Sequence, residues 1–294
     1  MLFKLKKIPK KIIIFAKENP TPMKKIITYI LLLFAVTVSA QTYDDFYNSG
    51  TDYLKQHDYK NAIAAFQRAI ASEPNNRNNE YAYINLAYAQ EQVKDIANAI
   101  DSYTKAIEIN PSSVPALEQR AKISMTLDNI ENALADYNLL LQIEPKNCKA
   151  LFFRAYIYSR DKEYDKALND YHTLLAIEPD NNKARLSLAL LYHKSGRINE
   201  SLMLLEQLMT EEPDNAEYYV ARSNIELKEG QTELAIMDIE KAIELEPQKG
   251  EFYLTHAEIL IKQGKKERAR DVLNRAIELG CDKQSVIPLL NKCR

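Results

Sequence analysis

Glycine and cysteine are scarce in this chain, and tryptophan is absent. Only 6 of the 294 residues are Gly, 3 are Cys and none is Trp. So little glycine excludes a collagen-like or glycine-rich disordered protein, and the plentiful helix-forming residues favour an all-helical one. Cys148, Cys281 and Cys293 fit no zinc-binding spacing, and at most two of them can pair within the chain. Either Cys281 and Cys293 form a terminal disulfide or all three are free thiols.

The sequence also has no recognisable catalytic, phosphate-binding or metal-binding motif. His57, His172, His193 and His256 are far apart in the sequence, and none lies in an H-E-x-x-H motif. There is no glycine-rich phosphate loop, and no pair of carboxylates stands out as a general acid and base. We therefore predict no catalytic, cofactor-binding or metal-binding residues, and a protein that is not an enzyme.

Residues 1–40 have the pattern of an export leader. A short basic stretch at 23–25 precedes an apolar run at 26–38, and small residues at 38–40 suit a cleavage site. The apolar run is shorter than the about 20 residues that span a membrane, and no Cys follows it for lipid attachment. The pattern predicts a signal peptide at 23–40, cleaved after Ala40, and a periplasmic or outer-membrane location in a bacterium.

Residues 1–22 precede a Met that already begins a complete signal. We therefore expect translation to start at Met23, with 1–22 either untranslated or an amino-terminal extension. Amino-terminal sequencing of the unprocessed precursor tests this, and a precursor that begins at Met1 would contradict it. Residues 1–40 are basic although the whole chain has a formal net charge of −2, so the remainder is acidic. An acidic body disfavours nucleic-acid binding, which requires a basic face.

A period of 34 residues organises the remainder of the chain. Pro111, Pro145, Pro179, Pro213 and Pro247 are each 34 residues apart, and a fixed period of this length is typical of stacked helical repeats. Alignment on these prolines predicts seven units of two helices each, with three extra residues between the first two units. The units are 43–76, 80–113, 114–147, 148–181, 182–215, 216–249 and 250–283.

Three positions, counted from the first residue of each unit, keep the same kind of side chain. Positions 8 and 20 are small and position 24 is large, because small side chains let two helices approach closely and large ones fill the remaining space. Position 8 holds Gly50, Ala87, Ala121, Ala155, Ala189, Ser223 and Ala257; position 20 holds Ala62, Ala99, Ala133, Ala167, Ser201, Ala235 and Ala269; position 24 holds Phe66, Tyr103, Tyr137, Tyr171, Leu205, Ile239 and Leu273. Gly196, Gly230 and Gly264 suit the left-handed residue that ends a first helix.

This period and small–large pattern resemble the tetratricopeptide repeat family over residues 43–283. The resemblance implies an all-α, right-handed α-solenoid of about seven helix-turn-helix units, closed by a capping helix within 284–294. In that family the first helices line a concave groove that binds peptides or partner proteins. The chain departs from the pattern at position 32 of the last unit, where Cys281 replaces the proline.

The resemblance also implies which residues face the groove, namely positions 2, 5, 9, 12 and 13 of each first helix. For Tyr88 and Tyr156, packing against the next repeat is an equally good alternative, and for Phe152 packing is favoured. The predicted groove residues are Tyr47, Tyr81, Ile84, Tyr88, Lys122, Lys149, Phe152, Tyr156, Arg160, Lys183, Leu186, Leu190 and His193, accompanied by Glu91, Glu118 and Lys194.

Arg at position 7 and Asp at position 23 occur together in the same three units and are both absent from the other four. This co-occurrence predicts a structural ion pair between the two helices of a unit or between neighbouring units, since a guanidinium can hold a carboxylate at two points. The predicted pairs are Arg120 with Asp136, Arg154 with Asp170, and Arg222 with Asp238.

Together these patterns predict a non-enzymatic scaffold or adaptor of the bacterial cell envelope, with no cofactor and with a protein or peptide partner in its groove. A structural subunit docked through its convex face, or an accessory module serving an enzyme, are the alternatives. We expect no nucleic-acid partner and no membrane span after leader cleavage, and the oligomeric state is open.

Overall fold

The computed structural model describes residues 42–294. The predicted leader 1–40, with its signal peptide at 23–40, lies outside the described residues. Residues 42–294 form fifteen α-helices and no strand, so the predicted all-α class is confirmed. These described residues divide into two compact units, one that ends at Asn110 and one that comprises residues 111–294.

The helices form helix-turn-helix pairs in both units. Those of the first unit are α1 (Tyr43–Lys55), α2 (Tyr59–Ser72), α3 (Asn79–Gln92) and α4 (Ile96–Ile109). Those of the second are α5 (Val114–Thr126), α6 (Ile130–Ile143), α7 (Cys148–Arg160), α8 (Tyr164–Ile177), α9 (Asn182–Lys194), α10 (Ile198–Glu211), α11 (Ala216–Lys228), α12 (Thr232–Leu245), α13 (Gly250–Lys262), α14 (Lys266–Glu278) and α15 (Lys283–Lys292).

Each turn between paired helices has a left-handed residue at position 15. Gly196 has a φ of 81° and Lys162 a φ of 63°, and the next backbone N–H donates back to position 11, as Arg197 does to the Tyr192 carbonyl at 2.8 Å. This bond satisfies a carbonyl that the helix end would otherwise leave unpaired. The glycines predicted this turn in the later repeats, and the structure shows the same turn where the residue is His57, Lys94, Asp128 or Lys162.

The paired helices approach each other most closely at the small residues of positions 8 and 20. The Ser201 hydroxyl donates to the Ala189 carbonyl at 2.7 Å, and the Ser223 hydroxyl donates to the Ala235 carbonyl at 2.7 Å. A short side chain can reach the backbone of the opposite helix only where the two backbones nearly touch. At Gly50 even a methyl group would lie 2.7 Å from the Phe66 ring.

The last helix covers the end of the second unit. Val286 and Leu289 of α15, and Cys293 directly after it, are buried in one cluster with Ala257, Leu260, Ala269 and Leu273 of α13 and α14. A terminal repeat needs such a cover because it has no following repeat to bury its apolar face. Cys148, Cys281 and Cys293 are free thiols in this structure.

The recurring Arg and Asp of positions 7 and 23 bind each other between the two helices of their own repeat. Arg154 binds Asp170 through two hydrogen bonds of 2.7 and 2.8 Å, and it also donates to Asn138 of the preceding repeat at 3.0 Å. Arg120 holds Asp136, and Arg222 holds Asp238, in the same two-point manner. All three aspartates are buried, so each depends on its arginine for charge compensation.

We therefore expect Arg154→Met to lower the free energy of unfolding by about 3 kcal/mol, because it strands the buried Asp170 carboxylate. The matched control Arg160→Met removes an arginine from the same helix whose bond to Asp128 is solvent-exposed, and it should cost less than about 1 kcal/mol. Denaturant unfolding measures both, and equal effects of the two substitutions would refute the structural role of Arg154.

The carboxylate of Glu226 lies next to the Arg222–Asp238 pair without a hydrogen bond to either residue. Its side chain is buried, its Oε2 atom has no partner, and its Oε1 atom is 3.9 Å from Arg222 Nε. Burial, and then the charge of Asp238, raise the pKa of Glu226 to about 7. This pKa exceeds the ordinary value of 4.5, so the folded protein binds the Glu226 proton more tightly than the unfolded chain does. The resulting contribution to the free energy of unfolding is complete below about pH 4.5 and is lost as the pH rises through about 7.

Glu226→Gln should consequently leave stability nearly unchanged near pH 4.5 and raise the free energy of unfolding at pH 8, by up to about 3 kcal/mol. Urea unfolding at both pH values measures the difference. The exposed Glu233→Gln on α12 is the control and should change little at either pH. A stabilisation by Glu226→Gln that is the same at both pH values would contradict the assignment.

Candidate partner-binding surface

In the second unit, side-chain contacts connect the first helices α5, α7 and α9. They join position 5 of one repeat to position 2 of the next. Lys149 donates to Glu118 at 2.8 Å, and the ammonium of Lys183 lies 4.9 Å from the centre of the Phe152 ring. The residues at positions 2, 5, 9, 12 and 13 of these three helices, here named the first-helix surface, therefore form one connected face.

Two apolar side chains on this surface are open to solvent. Tyr156 and Leu190 are 49% and 37% exposed, and they occupy position 9 of α7 and α9. Leu186, four residues before Leu190 on α9, is half-buried against the core of its repeat. Tyr156 and Leu190 thus present contact area that the fold of residues 42–294 leaves uncovered.

Phe152 has a different environment, although it is an aromatic residue one turn from Tyr156. Its ring is half-buried and meets Phe153 and Tyr171 edge-on, at centroid distances of 5.5 and 5.8 Å. Lys183 lies against the same ring. Phe152 therefore packs within the fold.

Several of the basic residues predicted to face a ligand already have partners within the second unit. Lys149 and Asn147 donate to Glu118, and these bonds lower the pKa of Glu118 although its burial acts in the opposite direction. Arg160 binds Asp128 with both terminal nitrogens. His193 Nε2 lies 3.3 Å from Glu229. Lys122, Lys183 and Lys194 are the exposed basic residues of the surface that form no ion pair among residues 42–294.

The charge at position 2 changes sign along the second unit. Lys149 and Lys183 occupy it on α7 and α9, whereas Glu217 and Glu251 occupy it on α11 and α13, and all four are exposed. Glu258 adds a further exposed carboxylate on α13. This change was not predicted, although a comparison of position 2 between successive repeats reveals it in the sequence.

The first unit has its own exposed aromatic residues on α3. Tyr81 and Tyr88 are exposed and Ile84 is half-buried. Tyr47 on α1 packs edge-on against Phe66, and its hydroxyl accepts a hydrogen bond from Asn85 at 3.1 Å. Tyr81 and Tyr88 are therefore open to solvent, whereas Tyr47 belongs mainly to the packing of its unit.

The described residues contain no recognisable reaction centre. Within 42–294 no cluster of His, Cys, Asp and Glu is arranged to hold a metal ion. His256 is buried beside Glu240, and burial lowers its pKa. No helix in this part of the chain is both long enough and apolar enough to cross a membrane.

Stacked helix-turn-helix pairs with an uncovered first-helix face define a helical repeat scaffold. Tetratricopeptide repeat models match residues 47–114, 114–147, 158–225 and 226–280, which is more than half of the chain. The chain belongs to the tetratricopeptide repeat family, whose members are protein–protein interaction modules.

Solved structures and a curated relative are similar to this chain. A tetratricopeptide repeat protein from Parabacteroides merdae is 28% identical with a TM-score of 0.71, and the match covers 85% of this chain and 98% of that one. The C-terminal part of a repeat protein from Cytophaga hutchinsonii, 15% identical, shares the fold with a TM-score of 0.62 over 83% of this chain and 99% of that one. The mitochondrial import receptor subunit TOM70 of Rattus norvegicus is 38% identical over 84 residues, which is 28% of this chain and 14% of the receptor's length.

The different environments of Phe152 and Tyr156 predict different effects on stability. Phe152→Ala should lower the free energy of unfolding by about 2 kcal/mol, because it removes a packed ring. Tyr156→Ala should change it by less than about 0.5 kcal/mol, because half of that side chain is already in water. Denaturant unfolding measures both variants, and a Tyr156→Ala variant as destabilised as Phe152→Ala would show that Tyr156 packs within the fold.

Proposed function

We propose that this protein is a non-enzymatic adaptor that binds a partner protein or an extended peptide on the first-helix surface of its second unit. The observation that carries the proposal is the exposure of Tyr156 and Leu190 at equivalent positions of adjacent repeats, with Lys122, Lys183 and Lys194 around them. Tyrosine and leucine supply contact area with few rotatable bonds to immobilise, so they are efficient anchors for a ligand.

The charge distribution favours one class of ligand. Position 2 holds Lys149 and Lys183 on α7 and α9 but Glu217 and Glu251 on α11 and α13, whereas position 13 is basic on all four helices. A segment that carries Asp or Glu beside its apolar residues would complement the basic part, and any basic residues would lie toward α11 and α13. Charge complementarity of this kind sets the orientation of a bound chain more than its affinity.

The export leader supports a site of action in the bacterial cell envelope, with the mature chain starting at Gln41. The proposed repeats are the seven units set by the proline period, of which the first is 43–76 and the last is 250–283. Each of them corresponds to one helix pair. In the first unit, Tyr81 and Tyr88 belong to the predicted groove and are exposed. They provide a second set of contacts for a partner protein.

Affinity capture from the native cells after mild crosslinking tests the adaptor function. We expect the tagged wild-type chain to retain a partner protein that a Tyr156→Ala/Leu190→Ala double variant loses by about tenfold or more, because two exposed anchors are removed. Circular dichroism melting verifies that the variant is folded.

Ile177→Gln is the matched control, because it changes an apolar residue of similar exposure on the second helix α8. It should retain the same partner. Equal retention by the wild type and by the Tyr156→Ala/Leu190→Ala variant would exclude the first-helix surface as the binding site.

A structural subunit that docks through its second helices is the second candidate. Exposed methionines on α10 and α12 favour it.

A further inference from the structure

Two neighbouring second helices of the second unit expose large apolar side chains. Met203 on α10 is 61% exposed, and Met237 and Leu234 on α12 are 65% and 48% exposed. Both methionines occupy position 22 of their repeats, where the other repeats of this unit have Ala135, Asn169 and Asp271. Met203, Leu234 and Met237 are here named the second-helix surface. Large exposed apolar residues at matching positions of adjacent repeats indicate an interaction site.

The geometry of the preceding repeats shows how these side chains are placed together. Arg154 contacts Asn138 of α6 and Asp170 of α8, and Asn138 and Asn169 line one cleft of about 390 Å³ above it. Two repeats further along the chain, Glu206 and Met237 occupy the positions of Asn138 and Asn169. The equivalent arginine, Arg222, binds Asp238 at 2.6 Å and has its pKa raised by Asp238, Glu226 and Glu206 in turn.

Repeat equivalence therefore places Glu206 and Met237 on either side of Arg222. Met203 is one helical turn from Glu206 on α10, and it lines a hollow of about 340 Å³ together with Glu206, Gln207 and Thr210. Leu234 is one turn from Met237 on α12, on the same side of the helix. The three exposed apolar residues thus lie on the second helices of adjacent repeats, close to Glu206.

Two exposed carboxylates without ion pairs lie on the same helices as these apolar residues. The helix α10 contains no Lys or Arg, and two of its three glutamates are paired with arginines outside it, Glu200 with Arg197 and Glu211 with Arg185. The only basic residue of α12 is Lys241, which is bound to Glu244 at 3.1 Å. Among residues 42–294, Glu206 and Glu233 form no ion pair. A partner that covers the methionines would have to bring positive charge to these two carboxylates.

We propose that the second-helix surface docks a basic amphipathic helix of a partner protein, independently of the first-helix surface. The apolar side of that helix lies on Met203, Leu234 and Met237, and its Lys or Arg residues face Glu206 and Glu233. Methionine suits this role because its unbranched, polarizable side chain adapts to the shape of an incoming apolar residue. A helix laid into a groove is a common mode of peptide recognition.

Methyl NMR of the full chain, with its methionine methyl groups labelled, tests the proposal. The probe is a synthetic amphipathic helix of Leu and Lys, and the control probe is the same peptide with Glu in place of Lys. The Lys peptide should shift the Met203 and Met237 resonances and leave the buried Met209 nearly unchanged, and the Glu peptide should shift none of them. Equal shifts with both peptides, or shifts confined to other methionines, would overturn the proposal.

Substitutions separate an apolar docking site from general attraction of a cation to an acidic protein. Met203→Gln/Met237→Gln keeps the charge and should weaken binding of the Lys peptide by about tenfold or more, because it removes most of the apolar contact. The control Leu127→Gln changes a residue of similar exposure outside both surfaces and should bind as the wild type does. Equal weakening by the control, or none by the double variant, would contradict the proposal. Resonances that move with protein concentration alone would assign the surface to a second copy instead.

Discussion

The close approach of the two helices in each repeat is the constraint on which the rest of the structure depends. The Ser201 hydroxyl reaches the Ala189 carbonyl across the interface, so positions 8 and 20 tolerate only the smallest side chains. This contact fixes the rotation of each first helix. Positions 2, 5, 9 and 12 then form one stripe, because they are three or four residues apart. Tyr156 and Leu190 are on that stripe, and their exposure follows from the burial of Ala155 and Ala189.

Charged groups inside the repeats reinforce this arrangement and also limit it. Arg154 joins its own Asp170 to Asn138 of the preceding repeat, so one guanidinium connects three helices. Arg222 repeats the motif, but Glu226 beside it places a second carboxylate in the buried site. This buried site therefore loses stability as the pH rises through about 7.

The period and the small–large pattern predicted the helix pairs, because helix approach leaves its mark at fixed positions of every repeat. The co-occurrence of Arg and Asp predicted which charges lie close together. The exposure of individual aromatic residues could not be predicted, because Phe152 and Tyr156 are chemically similar and only the neighbouring Phe153 and Tyr171 rings distinguish them. Nor does the sequence show that Lys149 is already bound to a carboxylate 31 residues away. The exposed Met203 escaped notice because an apolar residue in an amphipathic helix is expected to be buried.

Site-specific photo-crosslinking in the native cells tests the adaptor function most directly. A photoreactive amino acid would replace Tyr156 on the first-helix surface or Asn169, an exposed residue on the second helix of the same repeat. The account predicts a crosslinked partner from position 156 and none from position 169. Crosslinking from position 169 alone would contradict it, because the partner would then contact the opposite helix of that repeat.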